Sequence, residues 1–414
     1  MASDYVIRKT CRICASTGLW RFLDLGSTPL ANAFVAPERI SAPEAAYPLA
    51  VERCAACGQV QLTVVVRPDV LFANYLYASS ASAPLLAHFD AYAAEVAERF
   101  APPGSLVVEV GSNDGVLLRP LRRRGLVALG VEPAANLAAA ANAAGVTTVN
   151  EFFSEAVARD IRGSRGAANA VVANNVLAHI DDLNDVLRAL DVLLTQDGVF
   201  IAEVPYLGDL IEQVEYDTVY HEHLSYFSVA PLARLFEIAD MELFDVRPLT
   251  IHGGSIRIVA GRRGRHALTS ELARMRAAEE RAGLGDPVTY QRFAERVRAS
   301  RAALRDLIVH ERGRGARVAA LGATAKGNTL LNYCGLGPTE VEYVGDSTPL
   351  KQGLLTPGMH IPVVAEERLN TDRPECILLL AWNYADAIVP RYRDYVRAGG
   401  RFIHPIPLAR IIGA

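Results

Sequence analysis

The sequence predicts an α/β protein with three parts. A doubly wound, Rossmann-like domain occupies the middle of the chain. A small cysteine-bearing module precedes it, and a second Rossmann-like α/β unit follows. Three observations predict this. Short apolar runs that empty into Gly-containing turns occur twice, at Ser105–Gly115 and at Ala316–Thr329. Between about residues 85 and 265, strand-like and helix-like segments alternate, the order that builds a parallel sheet covered by helices on both faces. Two C-x-x-C knuckles, Cys11/Cys14 and Cys54/Cys57, stand ahead of the first such run.

With 414 residues the chain exceeds one ordinary domain, so the expected division is 1–75, 76–310 and 311–414. The net charge is −4, and the Arg-rich patches Arg122–Arg124 and Arg262–Arg265 are too short to form a nucleic-acid or membrane-surface footprint. No apolar run has the length of a membrane span, and Met1–Asp4 show no signal-peptide pattern. A cytoplasmic protein is expected, without nucleic-acid or membrane partners, as a monomer or weak homo-oligomer.

Two C-x-x-C knuckles in a reducing compartment read as a tetrahedral zinc site with Cys11, Cys14, Cys54 and Cys57 as ligands. Four thiolates leave no coordination position for water, so the expected role is structural. Cys334 and Cys376 read as small buried hydrophobes. Gly26–Leu30 reads as a loop and Val60–Val66 as a strand. A polar connector, Tyr75–Ser82, then leads to a helix over 84–100 and a break at Ala101–Gly104.

The strand Ser105–Val108 opens into Glu109-Val110-Gly111-Ser112-Asn113-Asp114-Gly115. Glycines let the backbone approach a ligand, and the following helix N-terminus adds positive potential. The spacing is not the G-x-G-x-x-G of dinucleotide folds. It resembles the first motif of S-adenosylmethionine (SAM) methyltransferases, with Asn113 at the middle glycine. Leu126–Val131 is the next strand and ends at Glu132, where such a site hydrogen-bonds a ribose diol. Ala170–Ala173 follows and opens into Asn174, Asn175 and His179, which should border the pocket. Gly198–Pro205 gives another strand, and Glu242–Val246 with Ser255–Ala260 a closing pair. Residues 268–312 read as one or two bridging helices. The second unit repeats strand, turn and helix at Ala316–Thr329, with further strands at Val341–Ser347 and Cys376–Ala381. Lys326 and the amides of Gly327 and Asn328 can hold a diphosphate, and a purely structural turn fits the spacing equally.

Tyr220-His221-Glu222-His223 is the densest titratable cluster. Two histidines flanking a glutamate suit a general base oriented by a carboxylate. The spacing is not H-E-x-x-H, because these histidines diverge on a helix, so a second metal site is a lesser reading. A polar turn with satisfied imidazoles is the plainer alternative.

The ordered set of C-x-x-C pairs, E-V-G-S-N-D-G, Y-H-E-H-x-S-Y-F-S, H-G-G-S-I-R and G-A-x-A-K-G-N-T resembles the deoxysugar C-methyltransferases of antibiotic pathways. The likeness spans essentially the whole chain and is nearest to the C-3 methyltransferases of the tetronitrose type. It implies SAM as cofactor and a dTDP-linked 4-keto-6-deoxy sugar as partner. It also implies base-catalysed enolate formation followed by methyl transfer. By this resemblance His223 is the base and Glu222 orients or tunes it, with His221 the second candidate. His179, Tyr220 and one of Tyr75 or Tyr77 line the sugar. Glu109, Gly111, Asn113, Gly115 and Glu132 contact SAM, flanked by Asn174 and Asn175. Lys326, Asn328 and Thr329 hold the sugar nucleotide, with Asp346, Lys351 and Trp382 beside them. Three other readings stay open: an O- or N-methyltransferase, an NAD-dependent nucleotide-sugar oxidoreductase, and a non-catalytic zinc-anchored sensor of SAM or nucleotide.

Overall fold

The computed structural model describes residues 4–71 and 83–413. Five strands open the chain: β1 (Tyr5–Ile7), β2 (Leu19–Thr28), β3 (Tyr47–Cys54), β4 (Val60–Leu62) and β5 (Val64–Val66). Residues 60–66, expected as one strand, are split at Thr63, with β4 joining β3 and β5 joining β1. β2 continues to Thr28, where the sequence suggested a loop. Its pairing with β3 shifts register between Asp24 and Ser27, so a bulge takes up the Gly26 turn signal inside the strand.

The central sheet uses β6 (Leu106–Val110), β7 (Val127–Val131), β8 (Thr148–Val149), β9 (Ala168–Asn174) and β10 (Leu194–Pro205). The short strand β11 (Ser225–Tyr226) lies outside it, and β12 (Met241–Leu249) and β13 (Ser255–Arg262) complete it. The order is β12-β13-β10-β9-β6-β7-β8, with β6 to β10 parallel and the last pair antiparallel. β6 is buried along its whole length because helices cover both faces. Val107 belongs to the same buried cluster as Phe89 and Tyr92 of helix α1 (Ala83–Arg99), while Val108 and Val110 belong to a second cluster with Leu183 and Leu187 of the helix Leu183–Leu193.

Two helices bridge to the last unit, Ser270–Arg281 and the longer α2 (Pro287–Gly313). Asp286 caps α2 by accepting from the Val288 amide at 2.9 Å, and Pro287 at the first helical position needs no partner for the N–H it lacks. The buried residues Tyr290, Phe293, Val297, Leu304 and Ile308 follow helical spacing. Tyr290 meets Phe22 of β2 at 5.0 Å between ring centroids, so the bridge also packs on the first module.

The last sheet contains β14 (Val318–Leu321), β15 (Val344–Asp346), β16 (Val363–Ala365), β17 (Cys376–Leu379), β18 (Arg401–His404) and β19 (Arg410–Ile412). Its order, β16-β15-β14-β17-β18-β19, is Rossmann-like, closed by one antiparallel edge strand. Helix α3 (Ala325–Cys334) follows β14 and is capped by Thr324, whose Oγ1 accepts from the Gly327 amide at 3.0 Å. β11 pairs with β4, so the segment after Tyr220–His223 completes the sheet of the N-terminal module. A unit that looks separate in sequence therefore holds part of the central domain.

Candidate active site

The four cysteines converge. Their sulfurs lie within 4.8 Å of one another, with Cys11 to Cys57 at 3.5 Å and Cys14 to Cys54 at 3.6 Å. A zinc–thiolate tetrahedron with bonds near 2.3 Å has sulfur–sulfur edges of about 3.8 Å, so the number, type and proximity of these donors fit zinc. The two knuckles close on one another because β2 and β3 pair Leu19 with Cys54.

At the carboxyl end of the central sheet, Gly111 (φ +63°), Asn113 (φ +50°) and Gly115 (φ +77°) turn the chain back on itself. A Cβ on Gly111 would lie 2.3 Å from Val176, so only glycine fits. Glu132 at the tip of β7 fastens this turn. Its two carboxylate oxygens accept the amides of Asn113 and Ala134, both at 2.8 Å. Asn174 donates to Glu109 at 3.2 Å, and burial pushes the Glu109 carboxyl well above its ordinary range. Four buried oxygens here have no partner among the described residues: Glu109 Oε2, Asp114 Oδ1, Asn174 Oδ1 and Asn175 Oδ1. SAM carries an ammonium group and ribose hydroxyls, the donors such a ring of orphaned oxygens needs, so the residues fit it.

β9 leads from this pocket to the second cluster. Asn175 (φ +55°) turns the chain, and His179 follows within one short helical turn. The His179 ring stands edge-on to His223 with centroids 5.0 Å apart. His223 Nδ1 lies 2.9 Å from the carbonyl oxygen of Thr218. A carbonyl only accepts, so Nδ1 carries the proton and Nε2 keeps its lone pair. The Tyr220 hydroxyl donates to that Nε2 at 2.8 Å. The tautomer-setting group is thus Thr218, which corrects the expectation that Glu222 orients His223. Glu222 accepts from Asn32 at 2.7 Å, and burial raises it to about 7. His221 is 1% exposed and donates from Nε2 to the Tyr47 carbonyl at 3.2 Å. Desolvation lowers both His221 and the recessed His179 to about 4, leaving them neutral at pH 7. Of the four polar residues Tyr220–His223, Tyr220 and His223 retain access to solvent. Tyr75 and Tyr77 lie outside the described residues.

Family models match three consecutive regions: a zinc binding domain at 11–72, a methyltransferase domain at 86–246 and a C-methyltransferase C-terminal domain at 250–407. The chain is 39% identical over 406 residues to the C-methyltransferase NovU of Streptomyces niveus, covering 98% of this chain and 97% of that one. This chain is a SAM-dependent C-methyltransferase. Parts of it are also similar to solved structures of methyltransferases. One is magnesium protoporphyrin IX methyltransferase from Synechocystis PCC 6803 with bound SAM, at 15% identity, 43% of this chain, 79% of that chain and TM-score 0.33. Another is the CcbJ methyltransferase of Streptomyces caelestis, at 15% identity, 47% of this chain, 95% of that chain and TM-score 0.35.

In this C-methyltransferase the C-terminal residues singled out from sequence are drawn together around the start of α3, but most are already engaged. The Gly327 and Asn328 amides bond Thr324, which corrects their reading as diphosphate ligands. The Asn328 side chain, 1% exposed, donates to Ala31 of the first module at 2.7 Å, and Thr329 donates to Ala325. Asp346 accepts the Ala323 amide at 2.7 Å, repeating at the tip of β15 the arrangement of Glu132 at the tip of β7. Lys351 donates to the Ala323 carbonyl, and the Trp382 indole donates to Asp217 at 2.6 Å. Lys326 lies 3.4 Å from Glu215 and faces the Trp382 ring. Asn32 and Thr218 carry no sequence signal: one acts through a side chain distant in sequence, the other through a backbone carbonyl.

Proposed function

We propose that this enzyme methylates C-3 of a dTDP-linked 4-keto-6-deoxyhexose in antibiotic deoxysugar biosynthesis. The observation that carries the mechanism is the His223 imidazole, its Nδ1–H fixed on Thr218 and its basic Nε2 turned to the Tyr220 hydroxyl. A ketone acidifies the neighbouring C–H, and a neutral imidazole is a base of suitable strength near pH 7. The C–H bond breaks, its proton passes to His223 Nε2, and its electron pair delocalises onto the ketone oxygen as an enolate. The Thr218 carbonyl stabilises the imidazolium that forms. The Tyr220 hydroxyl, released from Nε2, turns to the enolate oxygen with His179 beside it. Bound SAM, held by Glu109, Asn113, Glu132, Asn174 and Asn175 around Gly111 and Gly115, supplies an electrophilic methyl group. His179 follows Asn175 closely along the chain, so one strand exit serves both the cofactor and the sugar, which supports in-line positioning. Lys326 and Lys351 are the cations for the diphosphate. Asn328, Thr329, Asp346 and Trp382 shape the wall behind them.

Incubation with methyl-labelled SAM and a panel of dTDP-4-keto-6-deoxy sugars, 3-hydroxy and 3-amino, tests this reading. Label on C-3 of the ring by NMR is expected. Label on another carbon, on oxygen or on nitrogen would refute it at the corresponding step.

A further inference from the structure

Arg12 lies between the first two cysteines of the knuckle and is fully buried. Its guanidinium bonds the segments that carry His179 and His223. Nε bonds Asp181 Oδ1 at 2.9 Å, and Nη1 donates to the Leu62 and Leu224 carbonyls, the latter at 3.1 Å. Its own amide donates to Gln61, whose side chain returns a bond to Thr10. Asp181 lies two residues beyond His179, and Leu224 is the neighbour of His223. The Leu224 amide in turn donates to Ala178, the residue before His179, at 2.8 Å. One guanidinium thus clamps both backbone segments whose imidazoles face each other 5.0 Å apart. Arg8 adds a second contact to Asp181 at 3.0 Å.

We infer that Arg12 is a positioning residue that couples the four-cysteine site to the His179–His223 pair. The bound metal fixes the knuckle, the knuckle fixes Arg12, and Arg12 holds the two catalytic segments in register. The metal site thereby sets catalytic geometry as well as stability. This rests on the reading of His223 as the base. A fork of donors that serves one carboxylate and two carbonyls is a role for arginine and not for lysine.

The test uses the full-length zinc-loaded enzyme with Arg12→Met, Arg12→Lys, Asp181→Asn and His223→Ala. Bound zinc, SAM affinity, kcat and KM toward dTDP-4-keto-6-deoxyglucose, and the ring NMR signals of the histidines are measured. Arg12→Met is expected to lower kcat about 100-fold, the cost of an ångström-scale misplacement, with zinc content and SAM affinity unchanged. The ring signals of His179 and His223 should move while that of exposed His310 stays. Arg12→Lys should recover part of the loss. Asp181→Asn leaves the knuckle sequence intact, so it keeps the test open if Arg12→Met does not fold, and it should show a smaller loss of the same kind. Wild-type kcat in Arg12→Lys and Asp181→Asn, or losses that only track lost zinc or SAM binding, would overturn the inference. An inactive His223→Ala beside those unaffected variants would leave the base assignment standing, whereas an active His223→Ala would remove both.

Discussion

Replacing Glu132 by alanine should weaken SAM binding chiefly by loosening the turn that the carboxylate holds. Both oxygens of Glu132 are engaged at 2.8 Å, one by the buried Ala134 amide and one by the Asn113 amide. Removing them strands a buried N–H at Ala134, a cost of about 1–3 kcal/mol, while the partly exposed Asn113 amide can turn to water more cheaply. Asn113 also sits at φ +50°, a left-handed conformation that asparagine tolerates better than other non-glycine residues, and its side chain accepts the Asp114 amide at 2.9 Å, so the turn is held from both sides. About 2 kcal/mol of lost preorganisation corresponds to about a 30-fold rise in Kd, and loss of a direct ribose contact would add to it. Glu132→Gln retains one acceptor oxygen and should fall between. Titration calorimetry with SAM measures the effect, and thermal unfolding separates it from global instability. An alanine variant with Kd within about threefold of wild type would refute the reasoning, since that is less than 1 kcal/mol.

Gly111→Ala places a methyl 2.3 Å from Val176 at a positive φ, so thermal unfolding should show a loss of about 2 kcal/mol or more and calorimetry no SAM binding. Cys14→Ser should abolish stoichiometric zinc in the purified protein and lower its melting temperature, both measurable by atomic absorption and calorimetry. For Glu222 the sign follows from a folded-state pKa raised from 4.5 to about 7. The folded protein holds this proton more tightly, so stability is lost as pH rises through that window. Glu222→Gln keeps an acceptor for Asn32 and should raise the melting temperature at pH 8 while leaving it nearly unchanged at pH 4. His221 is lowered from 6.5 to about 4, so it contributes stability above about 6.5 that is lost as pH falls through that range. A His221→Gln variant should therefore show a flatter acid limb in melting temperature against pH.

The strands before each Gly turn, the four-cysteine set and the tyrosine–histidine cluster were legible because each is local in sequence. A short apolar run ending in glycine states its own geometry, and C-x-x-C spacing brings two sulfurs together on one turn. The residues that organise the cluster were not legible, because they act across long separations. Thr218 orients His223 through a backbone carbonyl, which any residue type could supply. Asn32 reaches Glu222 from the first module, and the pairing of β11 with β4 has no periodic signature in so short a strand. The turn at Lys326–Thr329 misled for a physical reason. Its spacing resembles a phosphate cradle, yet Thr324 caps the helix and takes the amides that a phosphate would need. Acidic tips on β7 and β15 were legible as positions, but their bonds to turn amides emerge only from the folded register.

The central claim is that His223 removes the proton from the carbon beside the ketone. It is tested most directly by incubating dTDP-4-keto-6-deoxyglucose with the enzyme in deuterated water and following that C–H by NMR. Wild-type enzyme should exchange the C-3 proton. His223→Ala should slow exchange by about 100- to 10,000-fold, the usual contribution of a general base, with SAM affinity unchanged. Exchange at the wild-type rate in His223→Ala would contradict the account.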